Sequence, residues 1–198
     1  MTTEADYRRA QEDASYRQAF LDSLDLEDAR PYVRRVIYRP LGDGDTSMKI
    51  KPSFLQRYLA RRIRSDIRVY SRAFSSNPLY DDFLGVLIDH EGYHARELYK
   101  NPEVVVLSYL RLFLSGIEIE QFRQEVKRFH DERELRATMS QLAACSSGKR
   151  SFSDTYISCV CIEIEELCET LGVGVEFNAD SGEARIVEPF TRELRRRL

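Results

Sequence analysis

Histidine is scarce in this 198-residue chain: there are three, and two of them, His90 and His94, stand in one stretch, LIDHEGYHARELY (87–99). Lysine is also rare. Of 30 cationic residues five are Lys (49, 51, 100, 127 and 149) and the rest Arg, a bias that favours fork-shaped ion pairs or follows from genome composition. No apolar run approaches the ~20 residues of a membrane helix. The stretch MTTEADYRRAQEDASYRQ has no apolar core, so no secretory leader and no membrane partner are expected. The expectation is a cytoplasmic protein with reduced thiols. A net charge of −3 gives no bulk attraction for nucleic acid, which is not expected as a partner. No CxxC pair exists. Cys145, Cys159, Cys161 and Cys168 are expected as free, small buried hydrophobes, because C-x-C on a helix points its sulfurs about 200° apart.

With 42% hydrophobic and 32% charged residues the composition is globular, large enough for one domain with a core. Residues 1–25 are expected as a polar, weakly periodic helical arm, loosely attached, and 26–198 as a single domain. RPYVRRVIYRP (30–40) reads as a strand, LGDGDTS (41–47) as a turn, and SFLQRYLARRI as the body of a helix starting near Pro52. SDIRVYSRAF (65–74) reads as a short strand and SSNP (75–78) as a loop. A helix from about 79 to 99 ends at KNP. EVVVLSYLRLFL (103–114) reads as a buried helix, with a break at Ser115-Gly116. A long amphipathic helix then runs from Ile117. Ser153 and Gly172 bound another helix as N-cap and C-terminal stop. A hairpin turns around 178–182, and the RELRRRL tail is read as a solvated helix end.

On the 79–99 helix, at 100° per residue, His90 at about 0° and His94 at about 40° share a stripe with Phe83, Leu87 and Leu98. Glu91 lies at its margin, while Gly92 and Arg96 face away. Residues four apart occupy one face one turn apart, so both imidazoles can reach one Zn²⁺, and the intervening carboxylate can act as general base toward water. HEGYH thus matches the HExxH pattern and resembles the zincin metallopeptidases. The resemblance covers about ten residues. It implies a bound Zn²⁺, His90 and His94 as ligands, Glu91 as the base, and a protein or peptide as substrate. It departs at Tyr93, where many zincins carry Gly, and at Arg96, usually apolar. Glu97 and Lys100 stand where metzincins need Gly and His.

In gluzincins the third ligand is a Glu on a later helix. Taking Ile119, Phe122, Val126 and Phe129 as the apolar face of the helix from Ile117, Glu118 falls on its edge and is the expected ligand, with Glu125 second. The companion acid of gluzincins is missing, Phe122 standing in its place. Glu118 reads equally as a first-turn carboxylate meeting the helix dipole. His130 is a third candidate or an oxyanion donor, although KRFHDERE reads as solvated; Tyr93 and Tyr99 are further possible donors. A di-iron bundle would need a second Glu-x-x-His, and none is present.

The expected fold is therefore α+β and predominantly helical: a zincin-like arrangement of an active-site helix, a later ligand-bearing helix and a small β-sheet or hairpin. The substrate strand would lie along RVYSRAF by strand addition. The alternative is a non-enzymatic helical interaction module in which HEGYH is structural.

Overall fold

The computed structural model describes residues 2–40, 48–53, 61–102, 118–178 and 183–187. The expected turn at 41–47, residues 54–60 of the expected helix body, the helix at 103–114 with its break, the hairpin tip and the Arg-rich tail lie outside them; residues 61–63, expected to end that helix body, are not helical. The chain is mostly helical with a small sheet and a hairpin, an α+β protein. It divides into two compact units, Met1–Gly116 and Ile117–Leu198, where an arm and a single domain were expected. Among the described residues no helix is long and apolar enough to cross a membrane.

The first unit opens with α1 (Glu4–Glu12) and α2 (Arg17–Ser23). TEAD forms a capping box: the Thr3 hydroxyl accepts from the Asp6 amide and the Asp6 carboxylate accepts from the Thr3 amide. Arg17 donates to the α1 carbonyls of Ala10 and Gln11 at 2.8 and 2.9 Å, which ties the two helices. These residues are not a loose arm. The Tyr7 ring lies 5.8 Å from Phe20 and 5.0 Å from Phe83, and its hydroxyl donates to the Asn77 carbonyl at 2.6 Å. The segment is too polar to show a strong period, yet Tyr7, Ala10, Phe20, Leu21 and Leu24 are all core.

Three strands follow: β1 (Val33–Arg39), β2 (Met48–Lys51) and β3 (Ser65–Tyr70). Their order is β1-β3-β2, with β1 parallel and β2 antiparallel to β3. The register puts Val36, Tyr38, Met48, Ile50, Ile67 and Val69 on one face, against the core. The other face carries Arg35, Ile37, Arg39, Lys49, Lys51, Asp66, Arg68 and Tyr70. Because β3 is paired on both sides, the RVYSRAF strand has no edge to offer a substrate, and 71–76 is helix α3 (Ser71–Ser76) rather than strand.

The second unit is a helix pair with a hairpin. After α4 (Tyr80–Leu84) and α5 (Glu91–Lys100) of the first unit, α6 spans Ile119–Ser146 and α7 spans Asp154–Leu171. Ser153 caps α7 through the Tyr156 amide, and Gly172 closes it at φ 67°, the left-handed conformation glycine adopts without cost. β4 (Gly174–Asn178) and β5 (Glu183–Val187) pair antiparallel. Leu135, Met139, Val160 and Ile164 form this unit's core. The four cysteines are free, but none is fully buried as expected: Cys159 is exposed and the other three are half-buried, and burial raises the Cys168 thiol pKa.

Candidate metal centre

The helix expected over 79–99 exists, but it is not one regular helix. α4 (Tyr80–Leu84) passes into a π-helical segment, Gly85–His90, and then into α5 (Glu91–Lys100). Its sequence, GVLIDH, mixes glycine with β-branched residues, a poor α-former in which the wider i→i+5 turn competes. His90 is the last residue of the π segment, at φ −94° and ψ −68°. The change of winding therefore ends at the first residue of HEGYH.

From His90 onward the winding is α-helical, and the two imidazoles share a face as the spacing predicts. Their ring centroids are 5.0 Å apart at an interplanar angle of 81°. His94 is buried and His90 half-buried. The buried face is centred differently from the expectation, however. Glu91, His94, Ala95 and Leu98 are all buried, which places its middle near Glu91, about 100° from His90. Glu91 is thus at 8% exposure, inside rather than at the margin, and His90 takes the margin. Tyr93 is half-buried, its ring 6.2 Å from that of His94 and covered by the Arg96 guanidinium at 5.2 Å.

Gly92 was expected to face away and does not. It is buried, and a Cβ placed on it would stand 2.7 Å from the Cβ of Ala29. Ala29 ends the 3-10 turn Glu27–Ala29, which Glu27 enters at φ 46°. The glycine between the histidines is a packing glycine: it lets α5 approach this turn. Two further buried acids on these helices, Asp82 and Asp89, were not singled out from the sequence. Asp82 accepts from the Leu79 amide at the start of α4. Nothing in the sequence distinguishes these acids from their half-buried neighbour Asp81.

The other site candidates lie in the second unit. Glu118 is the N-cap residue of α6; its side chain is exposed and caps no amide. Glu125 is exposed as well. His130 is exposed, as its charged surroundings suggested, with Nε2 3.7 Å from a Glu134 carboxylate oxygen. Glu134 is half-buried and was overlooked for a specific reason. Along the first half of α6 the expected apolar face holds in part: Phe122, Val126 and Phe129 are half-buried among exposed neighbours, though Ile119 is 73% exposed; the fully buried residues, Leu135, Ala137, Thr138, Met139, Gln141 and Ala144, come later and centre on another direction. On that later face Glu134 stands among the buried residues, well away from the direction that Ile119, Phe122 and Val126 define.

The donor types suit a divalent first-row ion. Neutral imidazoles one turn apart, with a carboxylate as third donor, make the His₂Glu set of hydrolytic zinc sites, and imidazole serves several other first-row metals as well. Comparison of the chain with protein-family models, with curated proteins and with solved structures gave no match in any of the three.

Proposed function

We propose that this chain is a zinc-dependent hydrolase with a zincin-like arrangement, acting on a protein or peptide. The observation that carries the reading is that His90, at the entry to α5, and His94, on its first turn, have ring centroids 5.0 Å apart, while Glu91 between them is buried. His90 and His94 are the proposed imidazole ligands. The third donor is a carboxylate from α6. Glu134 is preferred over Glu118 because it is half-buried where Glu118 is exposed, and a carboxylate beside two imidazoles makes the donor set of hydrolytic zinc sites.

Zinc, when bound, lowers the pKa of water toward ~7 and polarises a carbonyl. The roles left to the chain follow from position. His90 and His94 present neutral nitrogens and fix the site to a rigid helix. Glu91 takes a proton from the attacking water and returns it to the leaving amine. Its burial keeps bulk water from competing for that proton. Tyr93, next to His94, is the proposed hydroxyl donor to the developing oxyanion.

The test is elemental analysis of the purified, untagged chain beside His94→Ala and Glu91→Gln variants. The reading expects about one zinc per chain, lost on His94→Ala and kept on Glu91→Gln, with peptide hydrolysis absent from both variants. No stoichiometric metal after zinc is supplied would leave HEGYH as a packed helix face in an interaction module. Hydrolysis surviving Glu91→Gln would overturn the role given to that residue.

A further inference from the structure

The bulk charge hides a local excess. Between residues 30 and 72 the chain carries twelve Lys and Arg against three Asp and no Glu, although its net charge is −3. The sheet register gathers much of this excess on one surface. On the face turned away from the core, Arg35, Asp66 and Lys51 form one row across β1, β3 and β2, and Ile37, Arg68 and Lys49 the next, with Arg39 beyond. Arg35, Arg39, Lys49 and Lys51 are exposed and Arg68 is half-buried. Asp66 is already engaged, by both oxygens with Arg34 at 2.7 and 2.6 Å and by Arg35 at 3.3 Å. Among the described residues of the face that is the one carboxylate, against five cations.

From these positions we propose that the outer face of the sheet is a docking surface for an extended acidic polypeptide segment. Cations on neighbouring strands stand about 4.8 Å apart, and cations two residues apart on one strand about 6.8 Å apart. The second spacing equals that of carboxylates at i and i+2 of an extended chain, so an acidic segment can pair residue by residue. Guanidinium forks bind carboxylates bidentately, and Arg39 with the half-buried Arg68 supplies two. Nucleic acid offers anions too, but its single strands are held by exposed stacking aromatics. Among the described residues of this face the one aromatic, Tyr70, is buried. The face is also on the opposite side of the sheet from the core into which the His90–His94 helix packs, so an occupant leaves that helix untouched. Calling the occupant a substrate segment rests on the hydrolase reading; the binding itself does not.

Fluorescence anisotropy tests it on the metal-free full chain, with three labelled probes in ~50 mM salt: an alternating Glu-Ser dodecapeptide, its Lys-Ser counterpart, and a 20-nucleotide DNA, single- and double-stranded. The face variant is Arg39→Glu, Lys49→Glu, Lys51→Glu. A charge-matched control reverses Arg8, Arg123 and Arg128, which lie on α1 and α6. A milder variant, Lys49→Gln with Lys51→Gln, guards against misfolding of the first, and circular dichroism checks all three. The expected result is binding of the Glu-Ser peptide alone, weakened roughly tenfold or more in the face variant and about threefold in the milder one, but unchanged in the control. Equal loss in face variant and control, or no binding by the wild-type chain, overturns the proposal. Tighter binding of DNA through the same residues overturns it in favour of a nucleic-acid surface. Because no metal is needed, failure of zinc binding leaves this result standing, and the reverse also holds.

Discussion

Gly92 and Ala29 meet with no room for another carbon: the added Cβ would lie 2.7 Å from the alanine Cβ. Both partners are short, and the obstructing atom sits directly on the backbone of the Glu27–Ala29 turn. Relief therefore needs movement of α5 or of the turn. Gly92→Ala gains helix propensity, about 1 kcal/mol, but overpacks a buried contact, which costs about 1–3 kcal/mol. The net expectation in urea denaturation is a loss, and because Gly92 lies between the histidines, zinc affinity falls too. Adding Ala29→Gly restores both. A double variant no better than the single one would mean that the contact is not what limits the site.

Tyr7 makes a second prediction. It is fully buried, ringed by Phe20, Phe74 and Phe83, and burial pushes its hydroxyl pKa far up. Tyr7→Ala is expected to cost about 3–5 kcal/mol, and deletion of residues 1–25 to unfold the first unit. A loosely attached arm would tolerate either change with little shift in thermal midpoint, so scanning calorimetry separates the two pictures.

How far the sequence could be read follows from these cases. α7 was legible at both ends because Ser153 and Gly172 act within one turn, through the Tyr156 amide and a positive φ. The strand at 33–39 and the imidazole pairing were equally local. What the sequence did not show depends on a second segment. Gly92 reads as outward-facing until Ala29 is placed against it. β3 reads as an edge until β1 and β2 flank it. The buried face of α6 follows from packing along its second half, whereas Ile119 and Phe122 suggested a face set by its first.

Asp66 supplies a pH-dependent prediction. Burial alone would raise its carboxyl pKa; the hydrogen bonds and charges of Arg34 and Arg35 outweigh that and hold it below the usual carboxylate value. A depressed folded-state pKa stabilises the fold above the unfolded pKa, ~3.9, and the contribution disappears as pH falls through the folded value. Asp66→Asn should therefore lower stability at pH 7 by about 1–2 kcal/mol, since both guanidiniums can return to water, and the gap from wild type should close as pH falls through the folded value. Urea melts at pH 7, 4 and 2.5 check it. A gap independent of pH would assign the loss to packing rather than to charge.

The third donor is the prediction on which the metal reading turns. Glu118 and Glu134 differ in setting: one is an exposed N-cap residue, the other a half-buried side chain one turn beyond His130. Glu118→Gln should remove a favourable charge at the start of α6, a few tenths of a kcal/mol, and leave zinc affinity unchanged. Glu134→Gln should weaken zinc by on the order of a hundredfold or more, beyond what loss of a supporting hydrogen bond costs. His130→Ala sharpens the comparison, for it removes only a neighbour of the carboxylate and should weaken zinc by less than the Glu134 change. Competition titrations against a chromophoric chelator give all three affinities. The reverse order, with Glu118→Gln the damaging change, would return the ligand to the start of α6. Equal, small effects would mean that the ion is held by His90 and His94 with a donor from elsewhere, and the hydrolase reading would then lose its His₂Glu basis.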